Sequence, residues 1–156
     1  MLPPKINDKS YLTQVAIRYL SLRPRFSCEL NSKLRLSAKQ KHISNPGNII
    51  AEIISNLTSS GFLNDDTLAT EYCRYQLCSK FKGPRFIRFH LFRLGLPKNL
   101  IDQALNTISR DDQIQAIVQY MNKKKQPYIK IYRQLIARGF DASLVATAVD
   151  EQGSTR

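Results

Sequence analysis

The chain has 156 residues, enough for one compact domain or a short array of repeats, and its apolar fraction of 42% argues against a globally disordered protein. Its 24 Lys and Arg residues outnumber 12 Asp and Glu residues, and the resulting net charge of +12 favours a polyanionic partner, such as nucleic acid, an anionic membrane surface or an acidic protein. No apolar run is long enough to cross a bilayer, and the first ten residues, with Pro3, Pro4 and Asp8, do not resemble a signal peptide.

The three cysteines predict neither a disulfide framework nor a metal site. Their number is odd and their spacing irregular. Cys73 and Cys78 fall on one predicted helix, where a separation of about 7–8 Å between their Cα atoms is too long for an easy bridge. With only His42 and His90 as further ligands, a zinc site is not expected. We therefore predict reduced thiols, as in a cytosolic protein, and no cofactor.

The N-terminal third of the chain predicts three helices and one loop. Apolar residues recur at helical spacing in residues 12–20, 30–34 and 49–61, and the last of these segments ends in a glycine, which suits a helix C-terminus. The segment 37–47 is polar and contains Asn45-Pro46-Gly47, so it predicts a loop.

Two later segments of the chain repeat each other. Residues 84–105 match residues 127–149, and the match aligns Gly95 with Gly139. Each copy predicts a helix that begins near a proline and ends at the glycine, followed by a short link and a second amphipathic helix. A further helix precedes each copy and begins with two aspartates, which suit the dipole of a helix N-terminus. These aspartates are Asp65-Asp66 and Asp111-Asp112.

The patterns together predict an all-α fold. Its plan is three tandem three-helix repeats that form an elongated, curved, right-handed helical solenoid-like array. The repeats are expected at residues 11–62, 63–109 and 110–152, between tails at 1–10 and 153–156. No segment shows the alternation typical of strands.

Positive charge is segregated along the chain. Residues 43–72 contain no Lys or Arg, whereas residues 74–98 carry seven and no acid. Blocks of this kind predict a one-signed basic surface, which suits a polyanionic partner such as nucleic acid. The candidate contact residues are Arg23, Arg25, Lys80, Lys82, Arg85, Arg88, Arg93, Lys123, Lys124 and Lys125.

The helix predicted to begin near Pro84 carries the strongest of these candidates. Arg85 and Arg88 are one turn apart and share a face. Lys82 and Gly83 precede the helix, where free backbone N–H groups can bind a phosphate. The alternative interpretation is an ordinary solvated helix face.

The other candidates also have structural alternatives. Lys123, Lys124 and Lys125 end a predicted helix, where lysine suits the dipole equally well. Arg23 and Arg25 occupy the matching turn of the first repeat, which suggests one basic line across the repeats.

Several aromatic residues lie between the basic ones and could stack on bases, although core packing is the more common role. We expect Phe92 and Tyr72 to pack in the core and Phe89 to be the candidate for stacking, because it falls near the face of Arg85. The interleaved residues are Tyr72, Tyr75, Phe81, Phe86, Phe89, Phe92, Tyr128 and Tyr132.

Three ordered motifs resemble the RecX family. Residues 16–34, with Ala-Ile-Arg-Tyr-Leu and Arg-Pro-Arg, resemble its opening repeat, without the glycine expected after Leu34. Residues 61–72 begin Gly-Phe-Leu-Asn-Asp-Asp and resemble its second motif. Residues 82–96 begin Lys-Gly-Pro-Arg, end Gly-Leu and resemble its third. The resemblance covers nearly the whole chain in the family's order.

The resemblance implies a cytoplasmic bacterial regulator that binds the RecA recombinase. Such a protein would lie in the groove of the RecA filament on single-stranded DNA, lower ATPase activity and strand exchange, and limit filament growth. It would act as a monomer in DNA repair, recombination and the SOS response, with no membrane and no small-molecule substrate as partner.

No catalytic constellation is evident in the sequence, so we do not expect an enzyme. Two other functions are compatible with a basic helical chain. One is a helix-turn-helix-like DNA-binding transcription regulator, although such a protein needs no threefold repeat. The other is an adaptor that binds an acidic protein without nucleic acid.

Overall fold

A computed structural model describes residues 7–153, with side chains as far as residue 151. This part of the chain contains α-helices and no strand, so the predicted all-α class is confirmed. No helix in it is long and apolar enough to cross a membrane. The helices are α1 (Asp8–Leu22), α2 (Ser27–Gln40), α3 (Gly47–Ser59), α4 (Asp65–Cys78), α5 (Pro84–Leu94), α6 (Lys98–Asn106), α7 (Arg110–Lys124), α8 (Tyr128–Ala137) and α9 (Ala142–Gly153).

The helix order agrees with three sets of three helices, while the predicted repeat boundaries stay a prediction. Residues 1–6 and 154–156 of the predicted tails lie outside the described residues. Residues 8–10 already belong to α1, because the Asn7 side chain accepts a hydrogen bond from the Ser10 N–H at 2.7 Å and caps the helix there.

The chain divides into two compact units, of which the first ends at Leu68. In this unit the apolar faces of α1, α2 and α3 pack on one another around a common core. The helical spacing seen in the sequence therefore corresponds to buried positions. The core residues are Leu12, Val15, Ala16, Leu30, Leu34, Ala38, Ile50, Ile53 and Leu63.

The loop predicted for residues 37–47 is confirmed only for residues 41–46, which connect α2 to α3. Helix α2 continues to Gln40, and Ser37 and Ala38 are buried against the core. The chain turns away from the end of the helix at His42, which adopts the left-handed conformation at φ 56°. The Ile43 N–H donates to the Ala38 carbonyl at 3.0 Å, as in a glycine-ended helix. A histidine thus takes the role of the glycine missing after Leu34.

The second unit contains residues 69–156, described to residue 153. Its helices α7, α8 and α9 pack together, and Leu77 of α4 joins their core. Gly95 and Gly139 end α5 and α8 as predicted, with φ of 93° and 89°. The core residues are Leu77, Ala116, Ile117, Tyr120, Ile131, Leu135, Phe140, Leu144, Val145 and Ala148.

Candidate nucleic-acid interface

A short connection between α4 and α5 carries two of the predicted lysines. Phe81 lies at its centre in the left-handed conformation, with φ 53°, and its ring packs on the Tyr120 ring at a centroid distance of 5.7 Å. The Lys82 N–H donates to the Gln76 carbonyl at 2.9 Å, which turns the chain back on the end of α4. The packing of the Phe81 ring therefore fixes the position of the connection from which the Lys80 and Lys82 side chains extend.

Arg138, the residue after α8, holds the same connection from the other side. Its Nη1 donates to the carbonyl oxygens of Lys80 and Phe81 at 2.9 and 3.4 Å. Its guanidinium also lies 4.7 Å from the centre of the Tyr120 ring. The sequence carries no functional signal at Arg138, because the repeat aligns this residue with Leu94, an apolar residue.

The end of α7 adds two more lysines around the same rings. The Nζ of Lys123 lies 5.6 Å from the centre of the Phe81 ring, and that of Lys124 lies 6.0 Å from the Tyr120 ring. The cations that lie over the Phe81 and Tyr120 rings, together with the two lysines that flank Phe81 in the chain, form a group that we call the Phe81 cluster. Its members are Lys80, Lys82, Lys123, Lys124 and Arg138.

No cation of the Phe81 cluster pairs with a carboxylate among the residues that the structure describes. Aromatic rings contact these cations instead. The Nζ of Lys82, for example, lies 4.1 Å from the centre of the Phe86 ring. Burial and the positive charge of Arg138 lower the pKa of Lys82. Lys82 and Arg138 thus repel each other, and a bound anion would relieve this repulsion.

The predicted arginines of α5 have a different environment. Arg85 forms a salt bridge with Asp141 at 3.0 Å, and Arg88 forms one with Asp102. Arg93 lies over the Phe89 ring at 5.8 Å. Two of these three exposed side chains are therefore partly neutralised within the chain.

The expectation of free N–H groups at the start of α5 is wrong. The Gly83 N–H donates to the Arg138 carbonyl at 2.8 Å, and the Arg85 N–H donates to the Gly139 carbonyl at 3.2 Å. The turn between α8 and α9 therefore occupies the position proposed for a phosphate.

The remaining candidates also make contacts within the chain. Arg23 pairs with Glu29 at 2.7 Å in the first unit. In that unit Arg25 donates from Nε to the Tyr19 carbonyl at 3.2 Å. Lys125 ends α7 in the left-handed conformation, with φ 45°.

The aromatic residues between the basic ones differ in their burial. Phe81 is partly buried and packs on a core cluster, whereas the expected core packing of Phe92 is wrong because its side chain is 68% exposed. Tyr72 stacks on His90, with ring centroids 5.7 Å apart. Phe89, predicted to be available for stacking, is exposed.

Comparison with known proteins identifies relatives along most of the chain. It is 30% identical over 152 residues to regulatory protein RecX of Geobacillus thermodenitrificans, and 30% identical over 153 residues to that of Bacillus cytotoxicus. These matches cover 91% and 92% of this chain and 54% of each relative. The chain thus spans about half the length of the curated relatives it matches. No model of a known protein family matches it.

Two solved structures share the fold. The crystal structure of RecX from Lactobacillus salivarius superposes with a TM-score of 0.77 and 26% identity, covering 93% of this chain and 96% of that one. A crystal structure of a regulatory protein RecX superposes with a TM-score of 0.73 over 92% of this chain and 72% of that one, and its identity of 24% supports the fold alone. In sequence and in fold, therefore, the chain is a homologue of regulatory proteins RecX along most of its length.

Proposed function

We propose that this chain is a non-enzymatic regulator that binds RecA and RecA filaments on single-stranded DNA. In this proposal it occupies the filament groove, lowers ATPase activity and strand exchange, and limits filament growth. It thereby modulates DNA repair and recombination in the cytoplasm, and it acts as a monomer. The relatives named regulatory protein RecX support a regulatory role.

The Phe81 cluster is the observation that carries the nucleic-acid part of the proposal. Its lysines are contacted by aromatic rings and form no salt bridge with a carboxylate among the residues that the structure describes. A DNA strand presents one phosphate per nucleotide, so several neighbouring unpaired cations suit it better than isolated ion pairs do. The exposed Tyr75 ring beside Lys80 could stack on a base, as aromatic rings do in single-strand binding surfaces.

The test is RecA's single-strand-dependent ATP hydrolysis, titrated with this protein on preformed filaments. We expect a dose-dependent fall with the wild-type chain and a weaker fall with the double variant K123Q/K124Q. The matched control is K33Q/K39Q, which removes two exposed lysines of α2 and changes the net charge equally.

Each outcome of the titration has a defined meaning. Unchanged hydrolysis at saturating wild-type protein would contradict the regulatory proposal, and sequence-selective duplex binding at fixed salt would then favour the helix-turn-helix alternative. Equal inhibition by both double variants would contradict only the assignment of the Phe81 cluster.

A further inference from the structure

Helix α5 exposes two phenylalanines on one face. The Phe89 side chain is 62% exposed and that of Phe92 is 68% exposed, although both are large and apolar. They lie three residues apart and are therefore neighbours on the helix surface. Ile87 and Leu91 of the same helix are fully buried, so α5 has a complete core-facing side without them.

These rings form one wall of a groove between α5 and α6. The groove has a volume of about 380 Å³ and is lined by Arg85, Arg88, Phe89, Phe92, Lys98 and Ile101. Its apolar surface comes from the two rings and Ile101, the last of which is almost wholly buried. A contiguous apolar groove at the surface of a protein is typical of a binding site, whereas single exposed apolar residues are not. We call it the Phe89–Phe92 groove.

The charges at the rim of the groove restrict what can bind there. Asp141 and Asp102 neutralise Arg85 and Arg88. Lys98 and Arg93 pair with no carboxylate among the residues described by the structure, so the rim keeps an excess of positive charge.

A protein segment fits this rim better than a DNA strand does. A strand would bring a phosphate at every nucleotide and would also meet the two aspartates. A protein segment can place a single carboxylate at Lys98 or Arg93 and an apolar side chain between the rings.

From this combination we infer that the Phe89–Phe92 groove docks an acidic protein segment with apolar side chains. The inference rests on the proposed function, in which RecA supplies that segment and the Phe81 cluster contacts the DNA. Two separate surfaces of the second unit would then recognise the two components of the filament.

The test compares the wild-type chain of 156 residues with the variant F89S/F92S on two probes, RecA without DNA and a fluorescent oligothymidine without RecA. Loss of apolar residues at the centre of a docking site weakens binding about tenfold or more. We expect that loss for RecA and an unchanged Kd for the oligothymidine. The control variant L22S/L36S removes two exposed leucines outside the groove and should bind both probes as the wild type does.

A second variant, R93E/K98E, tests the charge at the rim without changing the apolar wall. It should weaken RecA binding as well, because an acidic segment would then meet two carboxylates. Retained RecA binding by F89S/F92S would overturn the groove as a protein-docking site. A weakening of oligothymidine binding as large as that of RecA binding would instead identify it as a base-stacking surface. No binding of RecA by the wild-type chain would overturn the proposed function, and the groove assignment with it.

Discussion

Gly83 and Gly139 bring two backbone segments of the second unit into direct contact. A Cβ atom on Gly83 would lie 2.4 Å from backbone atoms of Gly139 and Phe140. One on Gly139 would lie 2.4 Å from the backbone nitrogen of Phe86. Backbone atoms cannot move aside as a flexible side chain can, so both positions require glycine. This contact also places Arg138 against the connection that carries Lys80 and Lys82.

The substitution G83A should therefore destabilise the protein. The added methyl group forces the two segments apart and weakens the hydrogen bond from the Gly83 N–H to Arg138. Overpacking of this kind costs about 2 kcal/mol in free energy of unfolding, which urea denaturation measures. The control is G47A, since a Cβ on Gly47 meets nothing within 4 Å. Equal stability of the two variants would show that the segments separate at little cost.

The three cysteines differ in their surroundings. Cys73 is buried, Cys28 is half-buried and Cys78 is exposed, and all three thiols are free. Burial raises the pKa of Cys73 to about 11. Burial and, to a lesser extent, the Asp65 carboxylate raise the pKa of Cys28.

The rate of thiol labelling should increase with the exposure of the cysteine. The reactive species is the thiolate, and at pH 8 a pKa of about 11 makes the thiolate fraction of Cys73 about a hundredfold smaller than a thiol pKa of 9.0 would give. We expect iodoacetamide to modify Cys78 in the folded protein and Cys73 only after unfolding in urea. Mass spectrometry of the digested protein measures each site, and modification of Cys73 as fast as Cys78 at pH 8 would refute the prediction.

Among the helices, α7 has the most complete N-terminal cap. The Ser109 Oγ accepts a hydrogen bond from the Asp112 N–H at 3.0 Å, and the Asp112 carboxylate accepts bonds from the Ser109 hydroxyl and N–H at 2.7 and 2.9 Å. The bond from the Ser109 hydroxyl is the largest cause that lowers the pKa of Asp112. A carboxylate with a lowered pKa stabilises the fold above its unfolded pKa and loses this contribution as the pH falls through the folded value.

The variant S109A should accordingly be less stable than the wild type at neutral pH, with a melting temperature lower by several degrees. The difference in melting temperature between the two proteins should become smaller below pH 3.8, the ordinary pKa of Asp112, because this carboxylate becomes protonated in both. Calorimetric melts between pH 7 and pH 3 measure the effect, with S59A as an exposed-serine control. A difference that stays constant over this range would show that the carboxylate does not contribute to the cap.

Local signals made most helices predictable from the sequence. Gly95 and Gly139 end helices because their left-handed conformations are strained for any other residue. The end of α2 was not predictable in this way, because burial of Ser37 and Ala38 extends the helix beyond its polar sequence. Tertiary packing overrides local propensity at that position.

The basic residues of the candidate site could be predicted from the sequence, but the salt bridges that some of them form could not. The sequence indicates that Lys80, Lys82, Lys123 and Lys124 belong to basic segments. It does not indicate that Arg88 and Arg85 form salt bridges with aspartates that lie 14 and 56 positions away along the chain. Such contacts between residues distant in sequence depend on the fold. They determine which cations are partly neutralised by a carboxylate and which are not.

On the scale of the whole chain, the net charge of +12 does not by itself locate an interface. Lysines without carboxylate partners release bound counterions from DNA when they contact phosphates, whereas arginines already paired with aspartate release fewer. The salt dependence of binding therefore depends on which lysines make contact rather than on the total charge. This distinction separates the Phe81 cluster from Arg85 and Arg88, which form salt bridges with aspartates.

Binding to oligothymidine should weaken linearly on logarithmic axes as salt increases, and each phosphate contact contributes about 0.7 to the slope for a single strand. If Lys123 and Lys124 each contact a phosphate, K123Q/K124Q should reduce the magnitude of the slope by about 1.4. The control K33Q/K39Q lowers the net charge by the same amount and should keep the wild-type slope. Fluorescence anisotropy over a range of salt concentrations measures all three. Equal reductions in both variants would mean that the total charge, and not the Phe81 cluster, determines binding.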